Sequence, residues 1–213
     1  MKVLLVFLVF LSFLSCNVNN EIVQIPDDNF KAYLIDNEEI NTNGDNKIQV
    51  AEASAFTGNI NCEGYEIKDL TGIEAFTALT ELDCSFNKLK NLDVSKNTAL
   101  TELWCYDNQL TSLDVSKNTA LTELICRNNQ LTSLDVSKNT ALTELWCSDN
   151  QLTSLDVSNN TALTELKCSS NQLTSLDVSM NTDLKKLYCY NNPLDCVVGC
   201  KEECKLEGAT RCP

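Results

Sequence analysis

The sequence contains no histidine, only six glycines and three prolines, and 16 basic side chains against 30 acidic ones. Each shortage removes a class of function. Without imidazole there is no Ser-His-Asp or Cys-His nucleophile pair, no histidine acid–base step and no histidine-ligated metal. A net charge of −14 argues against a nucleic-acid surface, which is held mainly by Lys and Arg. So few Gly and Pro argue against collagen-like and linker-rich chains. Beyond the N-terminal segment no apolar run is long enough to cross a bilayer. What is abundant is cysteine, twelve in 213 residues, a usage that fits an oxidising compartment better than the cytosol. The length suits one domain with small appendages.

Lys2 is followed by apolar residues from Val3 to Leu14, interrupted only by Ser12. This is long enough for a signal-peptide core and short for a membrane span. The run ends Phe13-Leu14-Ser15-Cys16 and resembles a bacterial lipobox, with Phe13 standing where Leu is usual. The resemblance implies a signal peptide over 1–15, acylation of Cys16 and a tether over 16–24. The alternative is an ordinary cleaved signal with Cys16 incidental. The expectation is an exported chain: a lipoprotein of the outer membrane or cell surface, or else a secreted or periplasmic protein. Membrane contact is expected only through the lipid anchor.

A repeat organises most of the remainder. Leu100-Thr-Glu-Leu103-Trp-Cys105-Tyr-Asp-Asn108-Gln-Leu110 recurs at 121–131, 142–152 and 163–173, and Cys84, Cys105, Cys126, Cys147, Cys168 and Cys189 fall 21 residues apart. Asn87, Asn108, Asn129, Asn150, Asn171 and Asn192 keep step, and Cys62 opens a divergent coil of 22. Leu and Cys alternate with outward residues, the period-2 mark of a strand with one buried face. One coil alone cannot bury that face, whereas stacked coils share a core. Seven coils at roughly 4.8 Å per strand give a sheet about 34 Å wide. The Asn column reads as a ladder bonding neighbouring backbone, as buried amides require. The Asp-Val-Ser-x-Asn-Thr filler is too short and turn-rich for a full helix.

The pattern L-x-x-L-x-C-x-x-N-x-L at this period resembles the leucine-rich repeat over about 58–194. The filler is similar to that of surface repeat proteins of Bacteroidetes-type bacteria, and the general architecture is internalin-like. The resemblance implies an α/β leucine-rich-repeat solenoid, a right-handed superhelix. Its parallel sheet would be concave, its convex side coil or 3-10, and its front a small helical cap. It implies a binding module and no enzyme. A flat glutamate ladder (Glu81, Glu102, Glu123, Glu144, Glu165, ending in Lys186) lacks the raised-pKa acid in a pocket that glycoside hydrolysis needs.

Cysteines fall into two populations. The repeat cysteines and Cys62 point inward and read as small buried hydrophobes, too far apart in parallel strands for disulfides. Cys196, Cys200, Cys204 and Cys212 form a separate tail cluster over 195–213. Four cysteines allow three pairings. Asn192-Pro193-Leu194-Asp195-Cys196 resembles the opening of the Cys-rich cap on extracellular leucine-rich-repeat proteins. That implies a cap closed by two disulfides, with a four-thiolate zinc site as the rival.

At the front, Pro26-Asp27-Asp28 precedes Phe30, Tyr33 and Leu34, a capped amphipathic helix start. Asn41, Asn43, Asp45, Lys47, Gln49 and Glu52 then resemble the ligand positions of a twelve-residue EF-hand loop, within a cap spanning 25–57. Asn41 replaces the usual Asp, and Asn46 sits where Gly makes the sharp turn. No cofactor is required; any calcium binding implied here is weak, on the order of millimolar.

Comparison of the coils places function on the concave face. Variation gathers at the outward strand positions while the convex filler stays uniform. Trp104, Tyr106, Asp107, Arg127, Trp146, Asp149, Lys167, Tyr188 and Tyr190 are the candidate ligand-binding residues. Aromatics interleaved with charge suit protein recognition, and the expected partner is a host or neighbouring-cell surface protein. Glycan stacking on the rings and a ligand-free surface spacer are the alternatives.

Overall fold

In the computed structural model the described residues are 21–201, 205–207 and 209–212. The leader, the lipidation candidate Cys16 and the tail residue Cys204 lie outside them. The first helices among the described residues are α1 (Asp28–Asp36) and α2 (Val50–Ala55). Asp27 caps α1: one carboxylate oxygen accepts the Asn29 and Phe30 amides. Its second oxygen accepts the Lys68 amide at 2.8 Å, so the cap residue also fastens the helix to the first coil. Phe30 and Leu34 are fully buried. The Phe56 ring meets Phe76 edge-on at 6.2 Å.

The solenoid strands are β1 (Asn59–Asn61), β2 (Glu81–Asp83), β3 (Glu102–Trp104), β4 (Glu123–Ile125), β5 (Glu144–Trp146), β6 (Glu165–Lys167), β7 (Leu176–Asp177), β8 (Lys186–Tyr188), β9 (Cys196–Val198), β10 (Lys205–Glu207) and β11 (Thr210–Arg211). Two parallel sheets result. The larger has eight strands in the order β1-β2-β3-β4-β5-β6-β8-β10; the smaller runs β11-β9-β7. Seven coils predict seven strands in the main sheet. The eighth, β10, comes from the cysteine-rich tail, which continues the sheet in register with β8 although it carries none of the repeat consensus. At the opposite edge the Tyr33 hydroxyl accepts the Asn61 amide at 3.0 Å, covering part of an edge that would otherwise be open to pairing.

Leu82, Leu103, Leu124, Leu145, Leu166 and Leu187 point inward with the seven ladder cysteines, and all are essentially sealed from solvent. A fully buried leucine contributes about 1.5–3 kcal/mol, available here only because the next coil lies above it. The ladder thiols are free. Burial pushes Cys62 and Cys126 up to about 12, so they stay protonated and unreactive.

Two asparagine ladders hold the turns. In the expected one, Asn129 accepts the Leu110 amide at 2.9 Å and donates to the carbonyls of Cys105 and Cys126. The second lies in the filler, where the sequence shows only turn residues. Asn97, Asn118, Asn139, Asn160 and Asn181 are almost wholly buried. Asn118 donates to the carbonyls of Val94 and Asn97, both at 2.9 Å. On the same side Asp93, Asp114, Asp135, Asp156 and Asp177 each accept the amide of the serine two residues on. Apart from one 3-10 turn at Ile73–Ala75 and the short strand β7, which pairs with β9, that face is built of such turns.

The tail differs from the expected two-disulfide cap. Cys196 and Cys212 are bonded to each other, which removes the four-thiolate zinc alternative. Cys200 is a free, buried thiol. Gly199 has a positive φ of 75°, and a β-carbon there would lie 2.3 Å from the Ser179 α-carbon. Glycine is needed where β9 closes against the β7 coil.

Candidate recognition face

Parallel, in-register pairing converts the 21-residue period into lateral contact, so residue i touches i+21 on the next strand. One outward column reads Asn61, Asp83, Trp104, Ile125, Trp146, Lys167, Tyr188, Glu207. Ile125 lies between the two indoles and is only 6% exposed, so the tryptophans share an apolar centre. The expected exposed aromatics are mostly half-buried; Tyr190, at 47% exposure, stands clear.

Several candidate residues bind one another. The Lys167 ammonium lies 3.2 Å from the Trp146 ring centroid and 5.7 Å from that of Tyr188. It also pairs with Glu165 at 3.0 Å, and Lys186 holds the other Glu165 oxygen at 2.7 Å. Burial acts to raise the Glu165 carboxyl, yet hydrogen bonds and charge from the two lysines bring it below its ordinary value. The Arg127 guanidinium stacks 4.4 Å over Tyr106 and pairs with Asp107 at 3.4 Å. Asn128 donates to that same carboxylate. Trp104 donates its indole N–H to Glu123 at 2.9 Å, whereas the Trp146 indole nitrogen is buried with no partner.

The glutamate column supports the face. Glu123 fixes the Trp104 ring, and Glu165 anchors two cations. Burial raises the Glu102 and Glu123 carboxyls; neighbouring carboxylates add to this, and at Glu123 the Trp104 hydrogen bond opposes it.

The uniform filler and the variable outward columns each have a packing or backbone cause. The convex filler is not an exposed surface left free to vary. Its Val94, Val115, Val136 and Val157 and its asparagines are buried, and its aspartates close turns, so packing alone keeps it uniform. The third outward column also answers to the backbone. Phe86, Asp107, Asn128, Asp149, Ser170 and Asn191 all have φ between 52° and 55°. Asn and Asp tolerate this left-handed conformation best among residues with a side chain. Asp107 and Asp149 therefore stand where the chain must turn, whatever they contact.

The EF-hand-like positions also converge on one another. Asp45 accepts the Lys47 amide at 2.8 Å and the Gln49 side-chain amide at 3.0 Å. Asn43 donates to the Gln49 carbonyl oxygen at 2.8 Å. Glu52 accepts from the Thr42 hydroxyl and the Asn43 and Gln49 backbone amides. Asn41 donates to the carbonyls of Ile35 and Asp45, and its own oxygen is buried without a donor. Calcium wants about six to eight oxygens converging on one point. As arranged, this set does not fit the ion: the Gln49 amide ties the loop together, and both Glu52 oxygens are taken.

Comparison with known proteins agrees with this architecture. A family model described as the LRR domain of endo-beta-N-acetylglucosaminidase EndoS matches residues 43–160. Internalin J of Listeria monocytogenes serotype 4b is 44% identical over 72 residues, 34% of this chain and 8% of that protein. The solved functional domain of internalin J from Listeria monocytogenes, described as including a cysteine ladder, superposes with a TM-score of 0.76 at 38% identity. That match covers 88% of this chain and 42% of the other. A leucine-rich-repeat protein of Leptospira interrogans gives a TM-score of 0.57 at 29% identity, over 59% of this chain and 35% of its own. The chain thus spans under half of each of these relatives, and it belongs to the leucine-rich-repeat family represented by the EndoS LRR-domain model, with an internalin-like solenoid.

Proposed function

We propose that the chain is an exported binding module that recognises a protein partner through its concave sheet. One observation carries this reading: the outward columns present aromatic rings with charges already fixed against them, Lys167 on Trp146 and Arg127 on Tyr106. Fixed side chains lose little entropy on binding, and aromatic–arginine clusters are typical anchors of protein interfaces. Sugar stacking is less favoured, because Tyr106 and Trp146 each already carry a cation on one ring face. Export is supported by the Cys196–Cys212 disulfide, which persists in oxidising compartments, together with the apolar leader. Anchoring through Cys16 belongs to the same proposal, as does a binding rather than catalytic role.

The test is site-specific photo-crosslinking in surface-protein extracts. A benzophenone amino acid at Tyr190 samples the concave face, and one at Lys138 samples the convex turns. A discrete adduct from position 190 alone, weakened by Asp149→Arg, is the expected result. Equal labelling from both positions, or none from 190, overturns the reading.

A further inference from the structure

The N-terminal third of the concave face holds a cavity of about 100 Å³ lined by Asn61, Glu81, Asp83, Glu102 and Trp104 among others. Its chemistry is incomplete when set beside the rest of the sheet. Twice in the C-terminal direction an aromatic ring, a carboxylate and a cation occur together: Trp146 with Glu165 and Lys167, and Tyr106 with Asp107 and Arg127. At Trp104 the ring and the carboxylates are present. The position beside it that corresponds to Lys167 beside Trp146 is held by Asp83 on one strand and Ile125 on the other.

Asp83 is the telling residue. It is only 6% exposed. One of its oxygens accepts the Ser85 amide at 2.9 Å, and the other has no donor among the described residues. A carboxylate buried this far normally has a paired cation or a full set of hydrogen bonds. Burial and the charge of Glu81 raise the neighbouring Glu102 carboxyl, as expected where negative charge is left uncompensated. The Trp104 ring is held in place by its bond to Glu123.

We propose that this cavity accepts the ammonium group of a lysine side chain supplied by the protein partner. The ammonium sits against the Trp104 ring and donates hydrogen bonds to the carboxylates of Asp83, Glu81 and Glu102, as Lys167 lies on the Trp146 ring and pairs with Glu165 within the chain. Lysine is preferred to arginine because the cation that the chain itself places on an indole is a lysine, and the cavity is small. The inference rests on the concave-face reading above and adds the partner chemistry at one point on it.

The test uses the full chain labelled with ¹⁵N-tryptophan, which gives two indole signals, assigned with Trp146→Phe. The probes are acetyl-Gly-Lys-Gly amide and its arginine and norleucine counterparts. The lysine peptide should shift the Trp104 signal saturably, with a dissociation constant of roughly 1–10 mM for so small a ligand, and leave Trp146 unmoved. Asp83→Asn keeps the Ser85 hydrogen bond and should weaken binding at least about fivefold; Glu81→Gln, at a half-exposed site, gives a second readout if the first variant folds poorly. Salt at about 1 M should weaken binding too. An equal response to norleucine, an arginine response as strong as lysine, or no shift of Trp104 overturns the proposal. A flat titration with a crosslink from Tyr190 removes the pocket and leaves the face; a saturable titration without that crosslink does the reverse.

Discussion

Lys167 and Trp146 are direct partners on adjacent strands, with the ammonium 3.2 Å from the ring centroid. The contact joins a flexible cation to a half-buried ring and to Glu165. It fixes the surface before any partner arrives. Such a contact is worth about 0.5–1 kcal/mol near solvent, so its larger effect is on geometry. In a Trp104→Phe background Trp146 is the sole tryptophan, and excitation at the red edge of the indole band avoids the tyrosines. Lys167→Ala there should increase acrylamide quenching and lower stability by no more than about 1 kcal/mol. Unchanged quenching would mean that the lysine does not cover the ring.

The two asparagine ladders should differ in strength. Asn129 serves both a backbone amide and carbonyls, whereas the oxygen of Asn118 has no partner. An unsatisfied buried backbone group costs about 1–3 kcal/mol. Asn129→Ala should therefore lose about 3 kcal/mol or more, and Asn118→Ala about 2 kcal/mol. Urea titration of both variants measures the difference; equal losses would contradict the hydrogen-bond assignment.

Acid should first stabilise and then destabilise the chain. Glu102 and Glu123 are raised above 4.5 by burial and neighbouring carboxylates. Raised groups hold protons more tightly when folded, so their contribution is full below 4.5 and lost as pH rises through the folded value. Asp114 and Asp135 are lowered below 3.8, chiefly by the Ser116 and Ser137 amides. Their contribution is present above 3.8 and lost as pH falls through the depressed value. Melting temperature should rise from about pH 8 to about pH 5 and fall below about pH 4. The Glu102→Gln, Glu123→Gln double variant should flatten the first limb and spare the second.

The amide-tied front loop predicts little response to calcium. A millimolar site would add about 1.4 kcal/mol at about 10 mM calcium, a shift of about 3–6 °C for a chain this size. Differential scanning fluorimetry should show less than that in the native sequence. A shift of that size, lost in Glu52→Gln, would establish that calcium displaces the Gln49 contacts.

The stacked core was legible because a buried Leu or Cys recurring at one strand position has a single physical reading. Pairing among the face residues was less legible, although the signal was present. The period already places residue 146 beside 167 and residue 106 beside 127, so reading across the coils shows each ring meeting its cation. Reading along each coil hid this. The filler misled for another reason: Asn118 and its counterparts look like turn residues, and the carbonyl that each one holds lies in the preceding coil, 24 residues back for Asn118 and Val94. The tail strand Lys205–Glu207 had no signal, since only its position over β8 makes it a strand.

The fixed register has a consequence for how such a chain can change. Carboxylates crowd the face at β2 and β3, and cations gather at β6 and β8. Excision or duplication of one 21-residue unit, such as 121–141, leaves every inward Leu and Cys rung with an equivalent neighbour, while the two charged poles move by one strand spacing, roughly 4.8 Å. The array is in effect a vernier. Unequal crossing-over between near-identical units would reset the span between the poles in fixed steps, with no new side chain required to alter which partner fits.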